Sequence, residues 1–342
     1  MLQAQSEFAD FHGLGHGIVE ASHRSAAYKE IQERAEANIR ELLAIDEDHE
    51  ILFLQGGASL QFAMVPMNLM LPGRPALYAD TGVWPCRAIQ EARLMGEVEV
   101  VFDGKPTGYS GIGDPTGWQI RQDASYAFIC TNNTIEGTQY RVWPETGAVP
   151  LVADMSSDIL SRPVDVSRFG LIFAGAQKNI GPAGVTLVIL RKELLSRVPP
   201  QVPAILRYST HSAQRSVYNT PPVFAVYMVA LVTDWLKKLG GLQIVDRLNT
   251  AKSRMLYDAI DSSGFYRGTA QPNDRSKMNV TFRLPDEGLE SRFIREAEAA
   301  GLVGLKGHRA VGGIRASCYN AMPKEGVLAL VDFMADFQKR NG

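Results

Sequence analysis

Cysteine is scarce in this 342-residue chain, with only Cys86, Cys130 and Cys318 present, an odd number, far apart and without a CxxC pair. That scarcity excludes a disulfide framework and a zinc site of ordinary spacing, and makes buried, reduced thiols the expectation. A dominant charge is missing too. Lys and Arg total 35 against 37 Asp and Glu, a formal charge of -2, so no field that gathers nucleic acid is expected. No uninterrupted apolar stretch reaches the roughly 20 residues of a membrane span, and the opening MLQAQSEFADFH lacks a basic-then-apolar signal pattern. A cytoplasmic protein with no membrane partner and no nucleic-acid partner is therefore expected. His12 and His16 stand four apart, but Gly13, Gly15 and Gly17 make a helix there improbable and no third ligand is near, so no metal is expected. There is no Gly-Lys-Ser/Thr phosphate loop and no internal repeat.

What is present is an ordinary globular balance, 45% hydrophobic and 21% charged, long enough for one large core and a smaller second unit. Ile31, Ala35, Ile39, Leu42 and Leu43 recur at three- and four-residue spacing, so Ala26 to Ile45 reads as an amphipathic helix. Ile51 to Leu54 reads as a strand, Gly56-Gly57 as a turn and Leu60 to Leu71 as a helix. Apolar runs at Tyr126 to Thr131, Val149 to Ala153, Leu171 to Ala174 and Val185 to Leu190 have the length and Val/Ile/Leu content of strands buried on both faces. A helical pattern near Ala88 to Met95 intervenes. The fold class expected is α/β, a mainly parallel seven-stranded sheet sandwiched by helices, whose ligands gather at the carboxyl ends of the strands. GYSGIGDPTG within Gly104 to Gly117 reads as a loop. After Thr220-Pro221-Pro222 a helix runs to Leu239, Gly240-Gly241 breaks it, and another starts at Leu242. The large domain is placed at 1–243, its N-terminal segment free to pack on the smaller unit. Residues 244–342 form that unit, a small α+β domain with strands at Met278 to Leu284 and Gly313 to Ser317 and helices at Leu289 to Ala300 and Lys324 to Gln338.

Lys178 lies just past a buried strand and ahead of Gly181-Pro-Ala-Gly184, whose glycines allow backbone to approach a ligand closely. Most lysines are simply solvated, but few sit between a core strand and such a loop. Asp154 ends another apolar run 24 residues earlier, so both side chains can reach one strand-end crevice. A buried carboxylate is costly unless paired, and a pyridoxal site supplies the pairing, with Asp holding the ring nitrogen protonated and Lys forming the Schiff base. Asp154 capping a helix from Met155 is the alternative. Gly56-Gly57-Ala58-Ser59 presents backbone N–H groups at a helix start, a cradle suited to phosphate. Trp84 is suited to stacking on a planar ring, although core packing is the commoner fate of a lone tryptophan.

Seven segments carry a resemblance: Ser22-His-Arg-Ser25, Gly56-Gly-Ala-Ser-Leu-Gln-Phe62, Asn133-Thr-Ile-Glu-Gly137, Ser161-Arg-Pro-Val-Asp165, Gly175 to Gly184, Tyr218-Asn-Thr-Pro-Pro222 and Gly307-His-Arg-Ala-Val-Gly-Gly-Ile-Arg315. Together they resemble phosphoserine aminotransferases, homodimeric class V enzymes of fold type I that depend on pyridoxal 5'-phosphate and serve serine and, in part, pyridoxine biosynthesis. The resemblance implies that Ala58, Ser59, Trp84, Thr134, Asp154 and Gln177 contact the cofactor and that Lys178 bonds to it. It further implies that Asn219 and Thr220 reach the phosphate across a dimer interface. Arg24 and Arg315, with His23, His308 and Arg309, are implied in binding substrate carboxylate and phosphate, partly from the partner subunit. The implied substrates are L-glutamate and O-phospho-L-serine with their 2-oxo acids. Members of the family begin with a Ser-Ala-Gly-Pro-like segment, whereas this chain starts within the helix that follows it, so reduced activity or stability is an expectation. The competing readings are another fold type I aminotransferase, a cysteine desulfurase and a non-catalytic cofactor-binding module. A desulfurase needs a mobile nucleophilic cysteine, and none lies between Cys130 and Cys318.

Overall fold

Strand runs and amphipathic stretches alternate along the chain, and a computed structural model describing residues 1–309 and 311–342 shows how they assemble. In chain order come α1 (Leu2–Ala9), α2 (Ala26–Leu43), β1 (His49–Leu54), α3 (Gly57–Leu69), β2 (Ala76–Asp80), α4 (Val83–Arg93) and β3 (Val98–Asp103). Then follow β4 (Ala127–Cys130), the two-residue strands β5 (Asn132–Asn133) and β6 (Thr138–Gln139), β7 (Leu151–Asp154), β8 (Leu171–Gly175) and β9 (Thr186–Arg191). The rest comprises α5 (Tyr208–Ala213), α6 (Val223–Lys238), α7 (Leu242–Ser263), β10 (Arg267–Gly268), β11 (Asn279–Arg283), α8 (Glu287–Ala299), β12 (Ile314–Ser317) and α9 (Lys324–Asn341).

The seven-stranded sheet has the order β1-β9-β8-β7-β4-β2-β3. Strands β3, β2, β4, β7 and β8 are parallel. Strand β9 runs against both β8 and β1, so six of the seven point the same way and their carboxyl ends share one edge. The two-residue period of a strand sends neighbours to opposite faces. Thus Ile51, Phe53, Ile172, Ala174, Leu187 and Ile189 enter one core, while Leu52, Leu54, Leu171, Phe173, Val188 and Leu190 enter the other. Helices on both faces close those cores, which explains the unbroken apolar runs.

Helix α2 starts where Ser25 Oγ accepts the Tyr28 N–H at 3.2 Å, the usual service of an N-cap serine. The contacts described for the N-terminal segment are with α6 rather than with the C-terminal unit. Phe8 meets Phe224 and Phe11 meets Tyr227 edge to face, and Tyr227 donates its hydroxyl to Glu7. Strands β10, β11 and β12 form a separate antiparallel sheet over a third core with α7, α8 and α9. Helix α7 belongs to both units, since Leu242 and Val245 pack in the first core and Leu256 and Ile260 in the third. Among the described residues no helix is long and apolar enough to cross a membrane. Cys130 and Cys318 are buried as expected, but Cys86, on the solvent side of α4, is only half-buried.

Candidate active site

The shared edge of six strand ends gathers the residues singled out in the sequence. Strand β1 leads into Gly56 and the first turn of α3, and β2 into Gly82 and Trp84. Strand β4 leads to Thr134, β7 ends on Asp154 itself, and β8 ends at Gly175, three residues before Lys178. Gly57, Ala58, Ser59, Trp84, Thr134, Asp154, Gln177 and Lys178 line one cavity of about 130 Å³. Gly56 has φ 87°, and a Cβ there would meet Leu60 Cδ2 at 2.4 Å. Only glycine lets the chain turn so sharply from β1 into α3, leaving the N–H groups of Gly57, Ala58 and Ser59 without helical acceptors and facing an anion site.

Lys178 Nζ donates to Thr134 Oγ1 at 2.6 Å and lies 5.6 Å from the centroid of the Trp84 ring. Asp154 is 4% exposed and forms no ion pair with any described residue. Its Oδ1 accepts the Ser156 N–H at 2.8 Å, but turns rather than an α-helix follow it, so the capping alternative is reduced to one local bond. Burial pushes its carboxyl up, against the opposing pull of Lys178 and the Ser156 N–H. A carboxylate so enclosed calls for a cation placed on it. Beneath it Asp158 is also buried, but Thr131 Oγ1 donates to its Oδ1 at 2.5 Å and Gln139 Nε2 to its Oδ2 at 3.1 Å, so that acid is already served.

Arg315 is on β12, and His308 and Arg309 are on the loop before it. That loop is closed tightly: Gly307 N–H bonds Gly313 O at 2.9 Å, and a Cβ on Gly307 would fall 1.9 Å from Gly312 O. Burial depresses the pKa of His308, and the charges of Arg315, Arg309 and Arg87 depress it further. These three arginines form no ion pairs among the described residues, so the cluster is set up for an anion. Arg87 was not foreseen. It lies three residues after Trp84 on α4, with its guanidinium 5.0 Å from the ring centroid, and the i,i+3 spacing is the only sequence signal for it. His23 and Arg24 are not among the cations acting on His308; they occupy the segment before α2, Arg24 exposed. Asn219 and Thr220 do not line the lysine cavity. Asn219 Nδ2 donates to Gln55 Oε1 at 3.1 Å and Gln55 Nε2 to Thr220 O at 2.6 Å, which holds the pair at the surface beside the Gly56 turn.

Comparison with known proteins gives the family. The model of the class-V aminotransferases matches residues 1–330. A phosphoserine aminotransferase of Syntrophobacter fumaroxidans is 54% identical over 342 residues, covering 99% of this chain and 94% of its own length. The solved structure of phosphoserine aminotransferase from Bacillus circulans subsp. alkalophilus superposes with a TM-score of 0.98 at 47% identity, covering 100% of this chain and 95% of that one. A PLP-bound phosphoserine aminotransferase from Trichomonas vaginalis gives 0.92 at 37% identity, with coverages of 98% and 95%. The pocket fits that group: an unpaired buried carboxylate for the ring nitrogen, a helix start for the phosphate, a lysine amine for the carbonyl carbon and an indole for the ring face. Its cofactor is pyridoxal 5'-phosphate, and the chain belongs to the class-V aminotransferases, in their phosphoserine aminotransferase branch.

Proposed function

We propose that the chain catalyses the reversible transfer of the amino group of L-glutamate to 3-phosphonooxypyruvate, giving O-phospho-L-serine and 2-oxoglutarate. The observation that carries this reading is the union of the Lys178–Thr134–Asp154 pocket with the neighbouring arginines Arg87, Arg309 and Arg315, none of them in an ion pair among the described residues. When bound, pyridoxal 5'-phosphate supplies an electron sink conjugated to the substrate Cα. Lys178 Nζ takes the proton from Cα and returns it, and Thr134 Oγ1, accepting one N–H, orients the amine for that transfer. Asp154 would hold the ring nitrogen protonated. Ala58 and Ser59 would hold the phosphate through backbone N–H groups, with Gln177 on the same cavity wall and Trp84 available to the ring face. Arg315 receives the α-carboxylate, which a guanidinium fork matches in a bidentate way. His308 and Arg309, with His23 and Arg24, partly from the partner subunit, take the distal phosphate, which carries up to two negative charges.

The same reading includes a homodimer in which Asn219 and Thr220 complete the cofactor site of the second subunit, supported by their surface position beside the Gly56 turn. It divides the chain at 243/244, at the start of α7, although Val245 of that helix still packs in the first core. The substrates are metabolites of amino-acid synthesis, and on that ground the enzyme is placed in the cytoplasm. The test is direct. The purified protein should be yellow, its colour bleached by borohydride with the label retained on Lys178, and it should turn over glutamate with 3-phosphonooxypyruvate. Lys178→Ala should lose at least a factor of about 10² to 10⁴, the span of a removed general base, while still holding the cofactor non-covalently. Near-normal turnover in that variant rejects the mechanism.

A further inference from the structure

Between Thr134 and Gly137 stands a glutamate that no step of this reaction uses. Glu136 is 6% exposed, and its two carboxyl oxygens have different fates. Oε1 accepts the backbone N–H of Val83 at 2.8 Å, at the first residue of α4, so it caps the helix that presents Trp84 and Arg87. Oε2 is buried with no hydrogen-bond partner among the described residues. The group lines a cavity of about 710 Å³ together with Thr269, Thr281, Arg283 and Arg315. The fit is close, since a Cβ on Gly82 would fall 2.5 to 2.7 Å from the carboxyl atoms.

The backbone of Glu136 is gripped from the C-terminal unit. Its carbonyl accepts Thr281 Oγ1–H at 3.0 Å, and Thr281 is the register partner of Arg315 in the antiparallel pair β11/β12. Residues directly opposed in such a pair project to the same face with Cβ atoms about 5 Å apart. The side chain that holds Glu136 therefore rises next to that of Arg315.

We propose that Glu136 is a positioning residue of the substrate site: its carboxyl group ties the start of the Trp84 helix to the loop carrying Thr134, and beside Arg315 it sets how strongly that arginine holds a substrate carboxylate. This rests on the reading that Arg315 receives the α-carboxylate. The charged groups acting on Glu136 are Asp80, from the end of β2, and Arg315, with the α4 N-terminus at Val83 adding partial positive charge. Along the cavity wall stand Arg267, Asp286, Glu287 and Arg283, the last paired with Glu290 at 2.6 Å. Burial raises the pKa of Glu136 and Asp80 adds to that, while the Val83 N–H and Arg315 oppose it; the balance lies above the usual carboxylate range. Neutral, Glu136 leaves the charge of Arg315 to the substrate. Ionised, it competes with the substrate for that charge, so binding weakens as pH rises through its pKa.

The experiment is KM for L-glutamate measured in the wild type and in Glu136→Gln side by side as pH rises above the usual carboxylate range, glutamate being the donor because it carries no phosphate to ionise near pH 6. In the wild type KM should rise roughly five-fold as one nearby charge appears. Glu136→Gln keeps an acceptor for Val83 but cannot ionise, and its KM should rise less steeply than that of the wild type. Glu136→Ala should lose roughly ten-fold in kcat relative to Glu136→Gln, the order of a lost helix cap, and alter the near-ultraviolet circular dichroism of the cofactor-free protein, which Glu136→Gln preserves. Thr281→Val, which loosens the grip without touching the carboxyl, should change the same KM profile and serves if the glutamate variants fold poorly. A wild-type slope in Glu136→Gln, or wild-type kinetics and dichroism in Glu136→Ala, overturns the proposal. An unchanged KM in Arg315→Lys rejects the assignment of the arginine and this proposal with it. A raised KM there, beside a wild-type slope in Glu136→Gln, rejects the role of Glu136 alone.

Discussion

Asn179, the residue after Lys178, accepts the backbone N–H of Asn320 on its Oδ1 at 2.9 Å, and so ties the reactive lysine to the loop that follows the Arg315 strand. The junction is built from several such bonds. Asn320 Nδ2 donates to Leu160 O and Asn249 Nδ2 to Asn320 Oδ1, each at 2.9 Å. Lys252 Nζ fastens the same loop through the carbonyls of Cys318, Tyr319 and Met322 at 3.2, 2.8 and 3.0 Å.

Asn179→Ala removes the acceptor for Asn320 and the 2.6 Å donor to Ile159 O from a side chain that is 7% exposed. Each buried group left unpaired costs about 1–3 kcal/mol. Urea unfolding should therefore show a loss of roughly 2 kcal/mol or more, and KM for glutamate should rise because Lys178 and Arg315 lose their common reference. Unchanged stability with unchanged KM would show that the two loops are not coupled through this bond.

Asp154→Asn should keep the cofactor bound and lose most of the rate, since an amide cannot balance a pyridinium charge. A second consequence concerns the cofactor-free protein. The folded-state pKa of Asp154 is raised by burial, so between the unfolded value of about 3.9 and the raised folded one the native state binds more protons than the unfolded chain. Stability therefore falls as pH rises through that window. Asp158 and Glu136 are shifted the same way, so Asp154→Asn should flatten only part of the decline. Denaturant midpoints of the two apoproteins across the acid range provide the check. Parallel curves would mean that Asp154 is not buried as an acid.

How much of this was legible before folding differs from element to element, for physical reasons. Strands β4, β7, β8 and β9 announce themselves because both faces are covered and nearly every residue is apolar. Edge strand β3 is half-exposed, interleaves Glu99 with valines and gives a weaker signal. Lys178 and Asp154 could be singled out because Asp154 ends a buried run and Lys178 follows one closely. The Thr134–Lys178 bond joins residues 44 apart in the chain, a pairing that local pattern does not contain. Arg87 looks like any solvated helix residue until the loop of His308 is folded against it, and Glu136 looks like any loop acid until Gly82 and Thr281 enclose it.

The dimer reading makes its own prediction. Asn219→Ala should weaken cofactor affinity while leaving the borohydride-labelled residue unchanged, and mixing inactive Lys178→Ala with Asn219→Ala should restore part of the activity in hybrid dimers, because one of the two sites then has both an intact lysine and an intact asparagine. An active monomer in sedimentation, or no recovery on mixing, rejects the shared site.

Substrate choice turns on the cation cluster. A carboxylate is satisfied by one arginine fork, whereas a phosphate carries up to two charges and three acceptor oxygens. Arg315 is the residue proposed for the group common to both amino donors, and its loss should penalise glutamate and phosphoserine alike. Arg309, on the loop next to His308, is the residue proposed for the group that differs. A basic pair in a glycine-rich loop is ordinarily a solvated tip, but here burial and the charges of Arg315, Arg309 and Arg87 depress the pKa of His308, which is the electrostatic mark of cations gathered together. A dianion relieves that strain more than a monoanion does. Arg309→Ala should therefore lower kcat/KM for O-phospho-L-serine about ten-fold or more, the scale of one charge-assisted hydrogen bond, and lower that for L-glutamate by much less. Arg87→Ala, by the same electrostatics, should fall in the same direction by a smaller factor, because its guanidinium already rests on the Trp84 ring. Measuring both donors in both variants decides the matter, and equal losses for the two donors in Arg309→Ala would reject a phosphate-specific role.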